Sequence, residues 1–289
     1  MTTRAEVFIT AAELAEAIAS GKPVTLLDVR WRLDRPDGRA EYRAGHLPGA
    51  VYADLDSELS DHSAPGRGRH PLPDGAALQR SLRAWGVRDG VPVVVYDDWN
   101  RAGSARAWWV LTAAGLPDVR ILDGGLTAWR EAGGGLESGQ LIPAPGDATV
   151  TRPDLYAGAR DVVTAEELAD IAAQGSLVDV RAPERYRGEN EPVDPVAGHI
   201  PGARNVPATT LLDESGRFLS NEDILARYPA GDPSRPPAVY CGSGVTAAIA
   251  VAALTAAGRD ARLFPGSWSQ WSADPSNPVE GGDPSAPEV

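Results

Sequence analysis

The chain of 289 residues holds a single cysteine, placed where a nucleophile would be made. Cys241 follows the apolar run PAVY and precedes Gly-Ser-Gly, after which a strongly helical stretch begins near Val245. A strand, a tight glycine-bearing loop and a helix N-terminus form a cradle. Its backbone N–H groups point at one centre, and the helix dipole adds partial positive charge there. A thiol at the mouth of such a loop is expected to react as the thiolate. A lone cysteine is more often a small buried hydrophobe. Against that stands Asp97, which fills the same slot in an earlier copy of the sequence pattern. The scaffold therefore needs no thiol there to fold, and only the later copy is equipped for thiol chemistry.

Those copies define the elements that must position the cysteine. LLDVRW (26–31), AGHLPGAVYADLD (44–56), VVVYDD (93–98) and ILDGGLTAW (121–129) reappear in order as LVDVRA (177–182), AGHIPGARNVPA (197–208), AVYCGS (238–243) and LFPGSWSQW (263–271). The displacement of about 150 residues means a duplicated domain, since solenoid repeats have periods of about 20–50 residues. The reading is a first domain over 1–136, a Pro- and Gly-rich linker over 137–160 and a second domain over 161–289. In each half a threonine, Thr10 or Thr164, precedes a helix-like stretch, with Glu13 or Glu167 three residues on as capping-box partner. Short apolar runs follow (VTLLDV, VPVVVY, VRIL; SLVDV, PAVY, ARLF), unalternated as parallel strands buried on both faces are. Helical stretches at 104–115 and 245–258 lie between them and end in glycine. The expected fold is α/β, two tandem domains, each a parallel sheet flanked by helices.

Composition narrows the function. With 27 Lys+Arg against 40 Asp+Glu the net charge is −13, which argues against nonspecific binding to nucleic acid or an anionic membrane. No apolar run approaches the roughly 18–20 residues of a membrane span, and the N-terminus lacks a signal-peptide pattern, so a cytoplasmic location is expected. No CxxC, HExxH or dinucleotide fingerprint appears, and the four histidines are scattered, so neither a metal nor another cofactor is expected. A Cys-x5-Arg phosphatase needs an arginine six residues after its nucleophile, where this chain has Ala247. A Cys–His hydrolase would also need an oriented base and an oxyanion hole for an acyl group.

VYCGSGVTA (239–247), with DVR, GHIPGA and PGSW in their places, resembles the rhodanese superfamily of sulfurtransferases, in its duplicated thiosulfate and 3-mercaptopyruvate form. The resemblance implies a catalytically silent first domain and a Cys241 that carries sulfur as a persulfide. The sulfur would come from a small-molecule donor and pass to a thiol, such as thioredoxin or a small thiol, or to cyanide. CGSGVT resembles the mercaptopyruvate branch, because Gly242 and Ser243 stand where thiosulfate-type loops carry cations. By the same resemblance Gly242, Gly244, Val245 and Thr246 line the substrate, and Ser243 helps in proton transfer. His70 and Asp56 would form a relay with Ser243 across the domain interface, and Arg185 would bind the donor's carboxylate. The family's second arginine, nine residues on, is here Asp194; Arg187 and Arg204 are the nearby candidates to replace it. A thiosulfate:cyanide sulfurtransferase is the runner-up, and a non-catalytic interaction module the remote alternative.

Residues kept in both halves serve the shared fold. His46 and His199 therefore belong to paired turns, and Arg30 and Arg181 to ion pairs at the DVR strand ends. Arg185 has no such twin, since four residues after Arg30 comes Asp34. The eight tryptophans are packing residues, with Trp268 near enough to the loop to wall the pocket.

Overall fold

The computed structural model describes residues 2–228 and 235–282; the last residues of the second expected domain, 283–289, lie outside the described residues. Its first sheet contains β1 (Phe8–Ile9), β2 (Thr25–Asp28), β3 (Ala50–Tyr52), β4 (Val93–Tyr96) and β5 (Val119–Leu122) in the spatial order β1-β5-β4-β2-β3. The second contains β6 (Leu177–Asp179), β7 (Arg204–Asn205), β8 (Ala238–Tyr240) and β9 (Arg262–Leu263) in the order β7-β6-β8-β9. All pairings between these strands are parallel. The orders are the same: β6 to β9 repeat β2 to β5, and a parallel bridge from Val162 to Leu263 stands where β1 pairs with β5. Register repeats as well, Asp28 opposite Tyr96 and Asp179 opposite Tyr240.

The central strands are buried along their whole length, as their unalternated sequences require. Both threonine caps form, each with its glutamate closing the capping box; the second helix opens as a 3-10 turn, Ala165–Glu167, before Leu168–Ala173. The helix expected at 104–115 runs from Ala102 to Ala113, and that at 245–258 from Ala247 to Ala256. These two helices pack against each other across the middle of the molecule. The second, AAIAVAALTA, is buried on every side, and its small residues allow the close approach. One hydrophobic core therefore runs through both halves, joining Leu27, Val95 and Trp109 of the first to Val178, Val239 and Val245 of the second. No helix among the described residues is long and apolar enough to cross a membrane.

The duplicated polar residues hold the turns. His46 Nδ1 lies 2.8 Å from the Tyr42 carbonyl and His199 Nδ1 2.8 Å from that of Tyr186, each ring stacked on that tyrosine. Arg30 and Arg181 fork onto Asp28 and Asp179 at 2.9 and 2.6 Å and reach the carbonyls of Gly45 and Gly198. In an open parallel sheet the carboxyl ends of the strands are where ligands bind. Both Asp97 and Cys241 stand just beyond such an end, after β4 and β8.

Candidate active site

Strand β8 delivers Cys241 to the edge of its sheet, and residues 242–246 turn directly into the Ala247–Ala256 helix. The Gly244 N–H points at Cys241 Sγ, 3.2 Å away. Gly244 has a φ of +77°, and a Cβ there would overlap the Pro265 carbonyl, so only glycine lets that amide face inward. The PGSW segment holds the loop from below. Cys241 N–H donates to Ser267 Oγ at 3.1 Å, while Trp268 and Ser269 N–H donate to the carbonyls of Cys241 and Gly242 at 3.0 and 2.9 Å. Ser267 itself sits at φ +52°, a conformation costing of order 1 kcal/mol for a residue with a side chain. Its hydroxyl donates to the Phe264 carbonyl, leaving a lone pair for the Cys241 amide. Trp268 is fully buried beneath Arg181 with its indole N–H on the Val196 carbonyl, the packing role read for the tryptophans.

Ser243, two residues on, is met by a side chain from the other domain. His70 Nδ1 lies 2.7 Å from Ser243 Oγ, and His70 Nε2 lies 3.3 Å from Asp56 Oδ1. The structure thus brings together the three residues singled out for a relay. Trp31, which the sequence did not single out, donates its indole N–H to Asp56 Oδ1 at 3.0 Å and sets its ring edge-on to His70. Burial pushes the His70 pKa below its ordinary value, against the opposing pull of Asp56. The hydrogen bond from His70 in turn holds Asp56 below the usual carboxylate range. A neutral His70 with its proton on Nε2 donates to Asp56 and leaves Nδ1 to accept from the Ser243 hydroxyl.

Arg106, also unforeseen, ties the two domains together at this point. Completely buried in the Ala102–Ala113 helix, it donates to the carbonyls of Leu59, His70, Pro71 and Gly244 at 3.0–3.3 Å. Burial pushes its pKa down to about 10, so the guanidinium remains charged at neutral pH. It fixes the His70 segment and the cysteine loop relative to each other.

Arg185 lies at the mouth of the loop: a Cβ built on Gly242 would fall 3.5 Å from its Nη1 and Nη2. Glu191 holds it through Nε and Nη2 at 3.1 and 2.6 Å. Burial opposes the charge on Glu191, but hydrogen bonds from Arg185 and two backbone amides keep its pKa below the ordinary range. Neither suggested replacement for a second arginine comes near. Arg187 forks onto Glu189 at the surface, and Arg204 is exposed on β7 with its guanidinium toward Gly175. Asp194 instead receives Arg69 from the first domain, Nη1 to Oδ1 at 2.6 Å. Beyond that pair opens a cleft of about 890 Å³, bounded by Gly68, Glu166, Ser269 and Asn277. No motif distinguishes Arg69, Arg106 or Trp31; Arg69 had only its place beside His70 to recommend it.

In the first domain the corresponding position is closed. Asp97 accepts from the N–H groups of Trp99, Arg101 and Ser104, from the Ser104 hydroxyl at 2.7 Å and from the Arg101 guanidinium at 3.0 Å. Its carboxylate occupies the centre on which these donors converge.

Known proteins resemble the chain in both of its halves. The family model described as the rhodanese-like domain matches twice, over residues 10–132 and 164–274. SseB of Mycobacterium tuberculosis (strain H37Rv), provisionally named a thiosulfate sulfurtransferase, is 60% identical over 281 residues, covering 96% of this chain and 98% of that protein. A Pseudomonas aeruginosa protein provisionally named a 3-mercaptopyruvate sulfurtransferase is 44% identical over 287 residues, covering 95% of this chain and 98% of its own length. The crystal structure of SseA from Escherichia coli, described as a 3-mercaptopyruvate sulfotransferase with the rhodanese fold, superposes with a TM-score of 0.77 at 32% identity, covering 91% of this chain and 98% of that one.

Proposed function

The chain belongs to the rhodanese family and is a sulfurtransferase, and from that premise we propose that its donor is 3-mercaptopyruvate and its carrier the Cys241 persulfide. Residues 161–289 form the catalytic half, residues 1–136 the half without a sulfur carrier, and 137–160 the linker. The Cys241 thiolate attacks the donor's sulfur, a sulfur–sulfur bond forms and the carbon–sulfur bond breaks. The electron pair stays on the departing three-carbon fragment as the enolate of pyruvate. That carbanion must take a proton at C3, and the thiol proton of the donor supplies it, so persulfide and pyruvate are the balanced products. Gly242, Gly244, Val245 and Thr246 surround the sulfur, and the Gly244 amide with the helix N-terminus stabilises its charge.

The observation that carries this reading is the chain Ser243–His70–Asp56, at 2.7 and 3.3 Å. Ser243 moves the proton while His70, oriented by Asp56, takes and returns it. Thiosulfate gives up its outer sulfur and leaves sulfite, a stable anion that needs no proton, so this relay would be idle. A second reading, thiosulfate as donor, is favoured by the name of the 60% identical relative and by the two guanidiniums beside Gly242. The acceptor is external, a thiol or cyanide, because the chain has no second cysteine to resolve the persulfide. Cytoplasmic location belongs to the same reading.

Intact mass after incubation with donor and no acceptor is expected to show one added sulfur, and Cys241→Ser none. Side-by-side kcat/KM values with one acceptor decide between donors. A ratio tenfold in favour of thiosulfate, about 1.4 kcal/mol in transition-state terms, overturns the mercaptopyruvate assignment.

A further inference from the structure

Position 194 is where the resemblance calls for a second arginine, and its aspartate is met by an arginine from the opposite domain. Arg69 is fixed at both ends: its backbone N–H donates to Ser269 Oγ at 2.9 Å and its Nη1 to Asp194 Oδ1 at 2.6 Å. The preceding Gly68, at φ +84°, lies so close to the PGSW turn that a Cβ would strike the Gly266 main chain. Asp194 is almost wholly buried, and its second oxygen stands 3.4 Å from Arg185 Nη2. The two carboxylates thus take up one edge of each guanidinium, Asp194 that of Arg69 and Glu191 that of Arg185. The remaining nitrogens converge. A Cβ on Gly242 would lie 3.2 Å from Arg69 Nη2 and 3.5 Å from Arg185 Nη1, and Gly242 adjoins the nucleophile. Arg69 Nε is buried and has no hydrogen-bond partner.

We propose that Arg69, a residue of the first domain, is the second cationic contact for the donor's carboxylate, and that Asp194 is the residue positioning it. The inference rests on the reading of the donor as an α-keto acid thiol. The charge pattern suits that class. Two guanidiniums offset by two buried carboxylates give a site near neutrality, with N–H donors aimed at one point. A single carboxylate can be bound bidentately there, whereas a compact dianion would meet the Asp194 and Glu191 charges as well. Donor binding is then divided between the domains: Arg185 from one, Arg69 from the other.

The test compares wild type, Arg69→Ala and the exchange Arg69→Asp/Asp194→Arg, all in the full-length protein with folding checked by thermal melting. The readouts are KM and kcat for 3-mercaptopyruvate, and the inhibition constant of pyruvate, which reports carboxylate binding without sulfur transfer. Arg69→Ala is expected to raise both KM and the pyruvate constant about tenfold or more while kcat changes little, as loss of a charge-assisted contact should. The exchange is expected to recover most of that loss, since it returns an arginine to position 194. A wild-type enzyme active on mercaptopyruvate whose Arg69→Ala variant keeps both constants overturns the inference alone. A fall in kcat with unchanged constants also overturns it, because Arg69 would then act only by holding His70. A wild-type enzyme that gains no sulfur from mercaptopyruvate overturns the donor reading instead.

Discussion

At the scale of single residues, the relay makes a donor-selective prediction. Ser243→Ala and His70→Ala should lower kcat with mercaptopyruvate by about 10²–10⁴-fold, the usual worth of a positioned acid–base group. Sulfur loading from thiosulfate, where no proton is needed, should be far less affected; equal losses with both donors would show the two residues to be merely structural. The same histidine sets a pH dependence. His70 must be neutral to accept from Ser243, and burial lowers its pKa below 6.5. Mercaptopyruvate turnover should therefore fall as pH drops through a midpoint below 6.5. Stability follows the same sign: the unfolded chain binds the proton near pH 6.5 while the folded one resists it, so stability erodes on acidification below that point. His70→Gln should flatten that slope in denaturant titrations across pH 5–7.

Among the elements, the helix Ala102–Ala113 contributes Arg106 and so decides whether the relay and the loop stay in register. Arg106→Met should cost about 2–4 kcal/mol by denaturant unfolding. The buried carbonyls left without a donor outweigh the relief of no longer burying a charge. Elements were the most legible feature of the sequence, for a physical reason. Strands buried on both faces must be continuously apolar, so VVVY and AVY declared themselves, and capping boxes marked two helix starts. Phe8–Ile9 and Arg204–Asn205 escaped notice because a two-residue edge strand carries no periodicity. The cysteine loop was legible because its chemistry is local, from one strand end to the next helix. Arg69, Arg106 and Trp31 were not, because each acquires its role only when distant segments meet. Asp194 could be read as a missing arginine, but nothing near it in sequence indicated that its partner lies 125 residues away.

Across the whole molecule, the common core and the shared site mean that neither half is complete alone. One hydrophobic cluster includes the central strands of both sheets, and the relay draws Ser243 from one domain and His70 and Asp56 from the other. Calorimetry should accordingly show one cooperative transition with equal calorimetric and van't Hoff enthalpies, although the chain exceeds the usual size of a two-state domain. Two resolved transitions would mean that the seam between the Ala102–Ala113 and Ala247–Ala256 helices is weaker than its burial indicates. The two loops at the strand ends, finally, differ in saturation. Asp97 accepts from five donors, whereas Cys241 Sγ accepts one hydrogen bond among the described residues. A receptacle that is full cannot turn over, and one that turns over cannot be full. Asp97→Cys should therefore not create a second sulfur carrier: it removes the occupant but leaves Arg101 and Ser104 collapsed on the vacated space. Intact mass should still gain one sulfur. The duplication has produced one filled copy and one receptive copy, and the filled copy gives the receptive one its histidine.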